Sequence, residues 1–218
     1  MTEKELKKLE ALEAKVNRYV DYIEIWNLQS KYSHYHHCTM FYMIPTLFAK
    51  KTEGIEIEVE GSGVFEGLTA PRRMFFERMG RGKSGPSPLF PGWLGLHMTM
   101  NPVIEINKDG TRAKGLWHSD GVVVAKHDDK LVPTWALGKY VMEYVKEDGE
   151  WKILKLNYRQ TFMCPYDKSW IEEPSVPVVL INGKPPVRQP ADKPTTYHRP
   201  YSPDSLDMIE PPPPEPYE

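Results

Sequence analysis

Cysteine is scarce in this chain: among 218 residues only Cys38 and Cys164 carry a thiol, too few for a disulfide framework and without the spacing of a zinc site. An excess of charge of one sign is missing as well, with 28 Lys and Arg against 30 Asp and Glu, and no basic cluster marks a nucleic-acid surface. No apolar run is long enough to span a bilayer. The opening MTEKELKKLEALEAK lacks the apolar core of a signal peptide. A phosphate-cradling loop, a dinucleotide glycine pattern and a nucleophile elbow are all absent. These absences point to a cytoplasmic protein in a reducing compartment, without nucleic-acid or membrane partners and without a cofactor.

What the chain has is apolar content, 40% of its residues, enough to fold by burial. Thr2 and Glu5 match a capping box. Leu6, Leu9, Leu12, Val16, Val20 and Ile23 then recur every three or four residues, so a helix is expected with these on one stripe, running on to the His36–His37 pair. A second helix is expected over residues 41–49 with Pro45 in its first turn, and a third after Ala70-Pro71 with Met74, Phe75 and Met79 on one face. Between them IEIEVEG alternates as a half-buried strand, its glutamates Glu56, Glu58 and Glu60 reading as the wet face. RGKSGPSPLFPGWLG reads as a long loop of the lid or binding kind. From Leu96 onward four strands follow, separated by short Asp-Gly and Asp-Asp turns, which predicts antiparallel pairing. The expected class is α+β: an antiparallel sheet with helices on one face.

Residues 173–218 differ from all this, being rich in proline and ending in PPPPEPYE. They are expected to be extended, with no core of their own. The domain proper is then residues 1–172, and the tail is a candidate for packing on a neighbouring subunit of a homo-oligomer, a dimer or trimer.

The segment ALEAKVNRYVDYIEIWNLQSKYSHYHH, the HxxxNPxIEI strand within LHMTMNPVIEINKDGTRAKGLW and the Tyr-x-x-Glu-Asp-Gly-x-Trp-x-Ile hairpin occur in this order. Together they resemble SnoaL-like proteins, which share the nuclear transport factor fold, over roughly residues 5–170. The resemblance implies a cone-shaped, strongly bent antiparallel sheet closed by three N-terminal helices, with a pocket inside. Relatives of this kind include bile-acid and scytalone-type dehydratases, ketosteroid isomerases, polyketide cyclases and lyases of lignin-derived diaryl compounds. Fold alone does not choose among them.

Candidate residues follow from the polar and aromatic clusters. YSHYHHC brings Tyr32, His34, Tyr35, His36 and His37 together, with Tyr32 and His36 on one helical face. HxHH lacks the spacing of helical metal ligands, so no metal is assigned. The dehydratase resemblance implies a catalytic acid/base at His97, set in His-Met-x-x-x-Pro. It also pairs that histidine with a tyrosine and, five residues on, an aspartate. Aligned without gaps these positions hold Tyr32 and His37, so the fixed negative charge of the aspartate is missing. Tyr158 matches a tyrosine of the last strand, and Arg159 lies one residue from the place of a functional arginine. On the second strand of the meander His118 and Asp120 share one face and Trp117 takes the other, so His118 or Asp120 is a candidate partner for His97.

The expected activity is a cofactor-independent lyase on a hydroxylated, hydrophobic, ring-containing molecule. His97 or His37 would act as base and Tyr32 and Tyr158 as hydrogen-bond donors, with Tyr35, Trp117, His118, Asp120 and Arg159 contacting substrate. Water would be lost, or formaldehyde in a lignin-type diaryl elimination. An isomerase or cyclase, or a binding protein of the same fold, are the alternatives.

Overall fold

A computed structural model describes residues 1–184, 190–196, 200–206 and 210–217. Helix α1 (Glu3–His37) opens with the expected capping box, in which Thr2 Oγ1 accepts from the Glu5 amide and the Glu5 carboxylate accepts from the Thr2 amide. At 1.5 Å per residue its 35 residues reach about 50 Å. Only its C-terminal part is buried, through Asp21, Ile25, Leu28, Gln29, Tyr32, Ser33 and His36 at helical spacing. Residues 1–20 are all exposed, and the apolar stripe Leu6, Leu9, Leu12, Val16, Val20 and Ile23 stands 41% to 58% open to solvent. The stripe is there; it does not face this chain's core.

The second expected helix shrinks to a single 3-10 turn, Ile44–Leu47. Pro45 starts it, but Thr39 at φ 53° and the extended Phe48 confine it to one turn. The third is a π-helical segment, Arg72–Met79, whose wider turn buries Met74 and Phe75. The strands are β1 (Glu56–Val59), β2 (Gly63–Glu66), β3 (Gly95–His97), β4 (Met100–Ile106), β5 (Arg112–His127), β6 (Lys130–Glu147), β7 (Glu150–Pro165) and β8 (Val179–Leu180). They form one sheet in the order β2-β1-β7-β6-β5-β3, with β4 and β8 also pairing on β5.

Two pairings depart from the antiparallel expectation: β1 runs parallel to β7 and β8 parallel to β5. Both strands reach the sheet after long excursions rather than tight turns, which frees their direction. The expected first strand of the meander is broken at Met98-Thr99 into β3 and β4, and Asn101 adopts φ 47° beside the break. Strands β5 to β7 are 16, 18 and 16 residues long. Bulges at Leu137/Gly138 and Glu143/Tyr144 bend them, so the sheet curls into a cone. Gly138 is needed at its bulge, because a Cβ there would lie 2.6 Å from the Arg159 carbonyl oxygen and 2.9 Å from the Tyr158 ring.

The core fills the space between α1, the π-helical segment and the concave face, with Trp117, Tyr144, Phe41, Phe48, Phe65 and Phe75 fully buried. Trp117 therefore belongs to the core, its indole N–H donating to Tyr144 (2.9 Å), which donates on to Gln29 Oε1 (2.9 Å). Asp21 ties the helix to the far end of the sheet by accepting from Lys146 and, at 2.8 Å, from the Trp151 indole.

The tail is extended as expected, but its first stretch belongs to the domain. Val176 is buried, Met163 donates its amide to Pro174 and accepts from Val176, and Val178 accepts from Lys126. Farther on, Asp192 and Lys193 pair with Val64 at the free edge of β2, and Asp192 takes a bidentate ion pair from Arg73 (2.8 and 2.6 Å). That ion pair holds the Asp192 carboxyl at about 2. Lys139 donates to the Pro211 carbonyl and Tyr201 to that of Thr161. In the single chain these described tail pieces dock on their own domain.

Candidate functional site

At the cone's mouth the inner face of α1 meets the concave sheet. Tyr32 and His36, four residues apart, point inward together. Opposite them His97 of β3, Tyr140 of β6 and Tyr158 of β7 project from the sheet; Tyr140 and Tyr158 are direct cross-strand partners. The five rings close a circuit. Centroid distances are 6.2 Å from Tyr32 to His36, 5.3 Å from His36 to His97 and 5.4 Å from His97 to Tyr158. Tyr158 to Tyr140 is 4.9 Å, and Tyr140 to Tyr32 is 5.6 Å.

These rings line a cavity of about 140 Å³. Its apolar wall comes from Val59, Met74, Phe75, Met79, Val123 and Met163, and Leu89 and Trp93 reach in from the long loop. Glu60, Ser62, Arg78 and Gln160 stand along the β1–β2 side. Around this lining His36 Nδ1, His97 Nδ1, the Tyr158 hydroxyl and the Trp93 indole nitrogen are buried without a hydrogen-bond partner among the described residues. Buried polar atoms are usually satisfied, so four unsatisfied ones around one apolar space mark a place for a polar ligand.

His97 is held through its backbone. Its amide donates to His37 Nε2 (2.8 Å) and its carbonyl accepts from Ser33 Oγ (2.8 Å), so α1 grips β3 at this residue from both sides. On the other side β3 lies so close to β5 that a Cβ at Gly121 would come within 1.8 Å of the Leu96 carbonyl oxygen. Only glycine fits there.

Burial sets the protonation states. It lowers His97 to about 4, with the neighbouring His37 adding to the effect. It also holds His36 well below its usual value, with His97 and His37 contributing. Burial raises all three tyrosines above their usual value; Tyr140 and the charges of Glu60 and Asp120 add to this at Tyr158, while the neighbouring Tyr140 hydroxyl opposes it at Tyr32. At neutral pH the circuit thus holds neutral imidazoles and protonated phenols: two bases and three donors.

Of the expected site residues, Tyr32, His97 and Tyr158 line the cavity and six do not. His37 turns away from it, half-buried, because it lies 100° around the helix from His36; it serves as the backbone acceptor for His97, a role that needs an unprotonated Nε2. Tyr35 packs at the edge of the core. His118, which is exposed, and Asp120 alternate with the inward Trp117 and Ser119 and lie on the outer face of β5, with His118 opposite Lys139 of β6. Arg159 alternates with Tyr158 in the same way. The imidazole beside His97 is therefore His36, not His118.

His36 and Tyr140 are the residues that the sequence reading left unassigned. The shared helical face of Tyr32 and His36 was a signal for the first; Tyr140 carried none beyond its place in a strand. The glutamates of β1 also differ from the wet-face reading. Glu58 is buried, accepting from Asn157 (2.9 Å) and from the Thr196 amide (2.6 Å), and Glu60 borders the cavity while accepting from the Gln160 amide (2.9 Å). Among the described residues no three His, Cys, Asp or Glu side chains are grouped as metal ligands. No described helix is long and apolar enough to cross a membrane.

A bent cone with a partly open, mostly apolar cavity and a few convergent polar groups defines a small-molecule pocket protein of α+β class. The chain belongs to the SnoaL-like domain family, which matches residues 17–157. No curated protein sequence matches it. Among solved structures it is similar to a candidate scytalone dehydratase from Novosphingobium aromaticivorans, with 18% identity over 71% of this chain and 93% of that one and a TM-score of 0.55. It is likewise similar to the type-3 hexachlorocyclohexane dehydrochlorinase of Novosphingobium barchaimii, with 18% identity over 71% and 96% and a TM-score of 0.55. At these identities the likeness is one of fold.

Proposed function

We propose that this protein is a cofactor-independent lyase that eliminates water from a hydroxylated ring compound. The observation that carries this reading is the closed circuit of Tyr32, His36, His97, Tyr158 and Tyr140 around an apolar cavity, with unpartnered polar atoms on three of the five. Two structures of the same fold are named for eliminations, a dehydratase and a dehydrochlorinase, which agrees with it.

In the reaction His97 takes a proton from the carbon next to the one bearing the hydroxyl. The C–H electron pair becomes the new C=C bond, the C–O bond breaks, and the departing oxygen takes the Tyr158 proton and leaves as water. The imidazolium of His97 then returns its proton to the Tyr158 phenolate, whose ring lies 5.4 Å away. Tyr32 and Tyr140 donate to the oxygen on which charge develops. Positioned acid–base groups of this kind contribute about 10² to 10⁴ in rate.

The cavity's size supports one ring rather than two: about 140 Å³ is close to the ~150 Å³ of an engineered cavity that takes up benzene. A panel of single-ring alcohols, diaryl hydroxymethyl compounds and steroid alcohols tests this, read by the absorbance of the new double bond and by a formaldehyde assay. Double-bond formation from single-ring alcohols is expected. Formaldehyde from the diaryl compounds would replace dehydration by the other elimination, and tight binding of the panel without turnover would leave a binding protein.

A further inference from the structure

The exposed part of α1 has a second pattern inside its apolar stripe. Leu9, Leu12, Val16, Tyr19, Ile23 and Trp26 follow one another at alternating steps of three and four, the a and d positions of a heptad. All six are at least 40% exposed. At 3.6 residues per turn this seam lies on the side of the helix opposite Asp21, Ile25, Leu28 and Tyr32, which bury against the domain. Trp26, at the end of the seam, packs edge-on against Trp117 of its own domain (centroids 6.1 Å apart), so the part open to a partner helix runs from Leu9 to Ile23. A solvent-borne helical arm with such a seam is marginal by itself and gains stability from a partner.

We infer that α1 pairs with α1 of a second copy of this chain as a parallel, two-stranded coiled coil, joining two domains back to back. Charge selects the partner and the direction. Lys8 falls at g and Glu13 at the e position that it faces across a parallel dimer, giving two symmetric attractive pairs. An antiparallel pair that layers Val16 on Leu12 of the other copy would instead bring the g-position Lys15 against Lys15. β-Branched Val16 and Ile23 at a positions favour two strands over three or four.

Sedimentation velocity of the full chain tests the inference, with Leu9→Glu plus Val16→Glu as the disrupting variant. Both positions are exposed in the single chain, so the fold survives the change. The unmodified chain is expected to sediment as a dimer and the double variant as a monomer of unchanged circular dichroism apart from the arm. Glu13→Lys is expected to weaken the dimer about tenfold, and Lys8→Glu added to it to restore the affinity. Leu9→Cys in a Cys38→Ser background is expected to form an intermolecular disulfide on oxidation, since only a parallel pair brings position 9 against itself. A monomeric unmodified chain, a trimer, a dimer that survives the double variant, or no cross-link at position 9 would each overturn the inference.

Discussion

The two ends of α1 invert the usual relation between polarity and burial. Its N-terminal half carries most of an apolar stripe and stands in solvent, whereas its last turns, richest in Tyr and His, are packed against the sheet. Apolar periodicity tells which residues share a face; what covers that face is decided by the rest of the molecule. At the inner end the sheet already supplies Phe65, Trp117 and Met142 as core, and the π-helical segment supplies Phe75. Tyr32 and His36 can therefore afford to complete a polar opening within it. At the outer end the domain reaches the helix near Arg18, which donates to the Ile106 carbonyl (2.8 Å), and leaves the stripe exposed.

This contrast can be broken from either side. The largest effect on stability is expected at the inner end, where Ile25→Ala removes a fully buried side chain; chemical denaturation should show a loss of about 2–5 kcal/mol.

Acidification comes next. His97 in the native state binds its proton only near pH 4, while an unfolded histidine does so near 6.5. Between those values the unfolded chain holds more protons, so stability falls as pH drops from about 6.5 towards 4, by roughly 3 kcal/mol from His97 alone, with buried His36 adding in the same direction. Denaturation curves across this range should show the slope, and His97→Asn should remove the His97 share of it while that of buried His36 stays.

Ser33→Ala takes away one of the two bonds that α1 makes to the His97 backbone. A loss of about 1 kcal/mol is expected, and because Ser33 positions the base without touching substrate, kcat should fall with KM nearly unchanged. An effect on KM alone would make Ser33 a substrate contact.

The smallest change belongs to the outer end. Leu12→Ala, at a position 51% exposed, should cost the dilute, dissociated chain less than about 0.5 kcal/mol. A larger cost under those conditions would mean that the stripe packs against its own domain after all.

How much of this was legible in the sequence varies with the range of the interaction. The capping box, the strand alternation of β5 to β7 and the loop rich in Gly and Pro depend on near neighbours and can be read directly. The parallel entry of β1 beside β7 cannot, because its register joins Glu56 to Lys155 across a hundred residues. The site divides along the same line. Tyr32, His97 and Tyr158 were found through resemblance, and the shared face of Tyr32 and His36 through helical geometry. Whether His36 or His37 enters the cavity turns on a 100° rotation fixed by α1 docking on β3, through Ser33 and His37 gripping the His97 backbone. On β5 the alternation of Trp117, His118 and Asp120 was readable, but not which face looked inward; the bulges and the packing of Trp117 on Tyr144 decide that.

The central claim is that catalysis belongs to the imidazole inside the cone and not to the one outside it. The most direct measurement compares initial elimination rates of His97→Ala and His118→Ala on the ring alcohol that the unmodified protein turns over. The expected result is a fall of at least about 100-fold in kcat/KM for His97→Ala and less than about twofold for His118→Ala, which removes an exposed side chain from the outer face. Equal effects of the two changes, or full activity without His97, would contradict it.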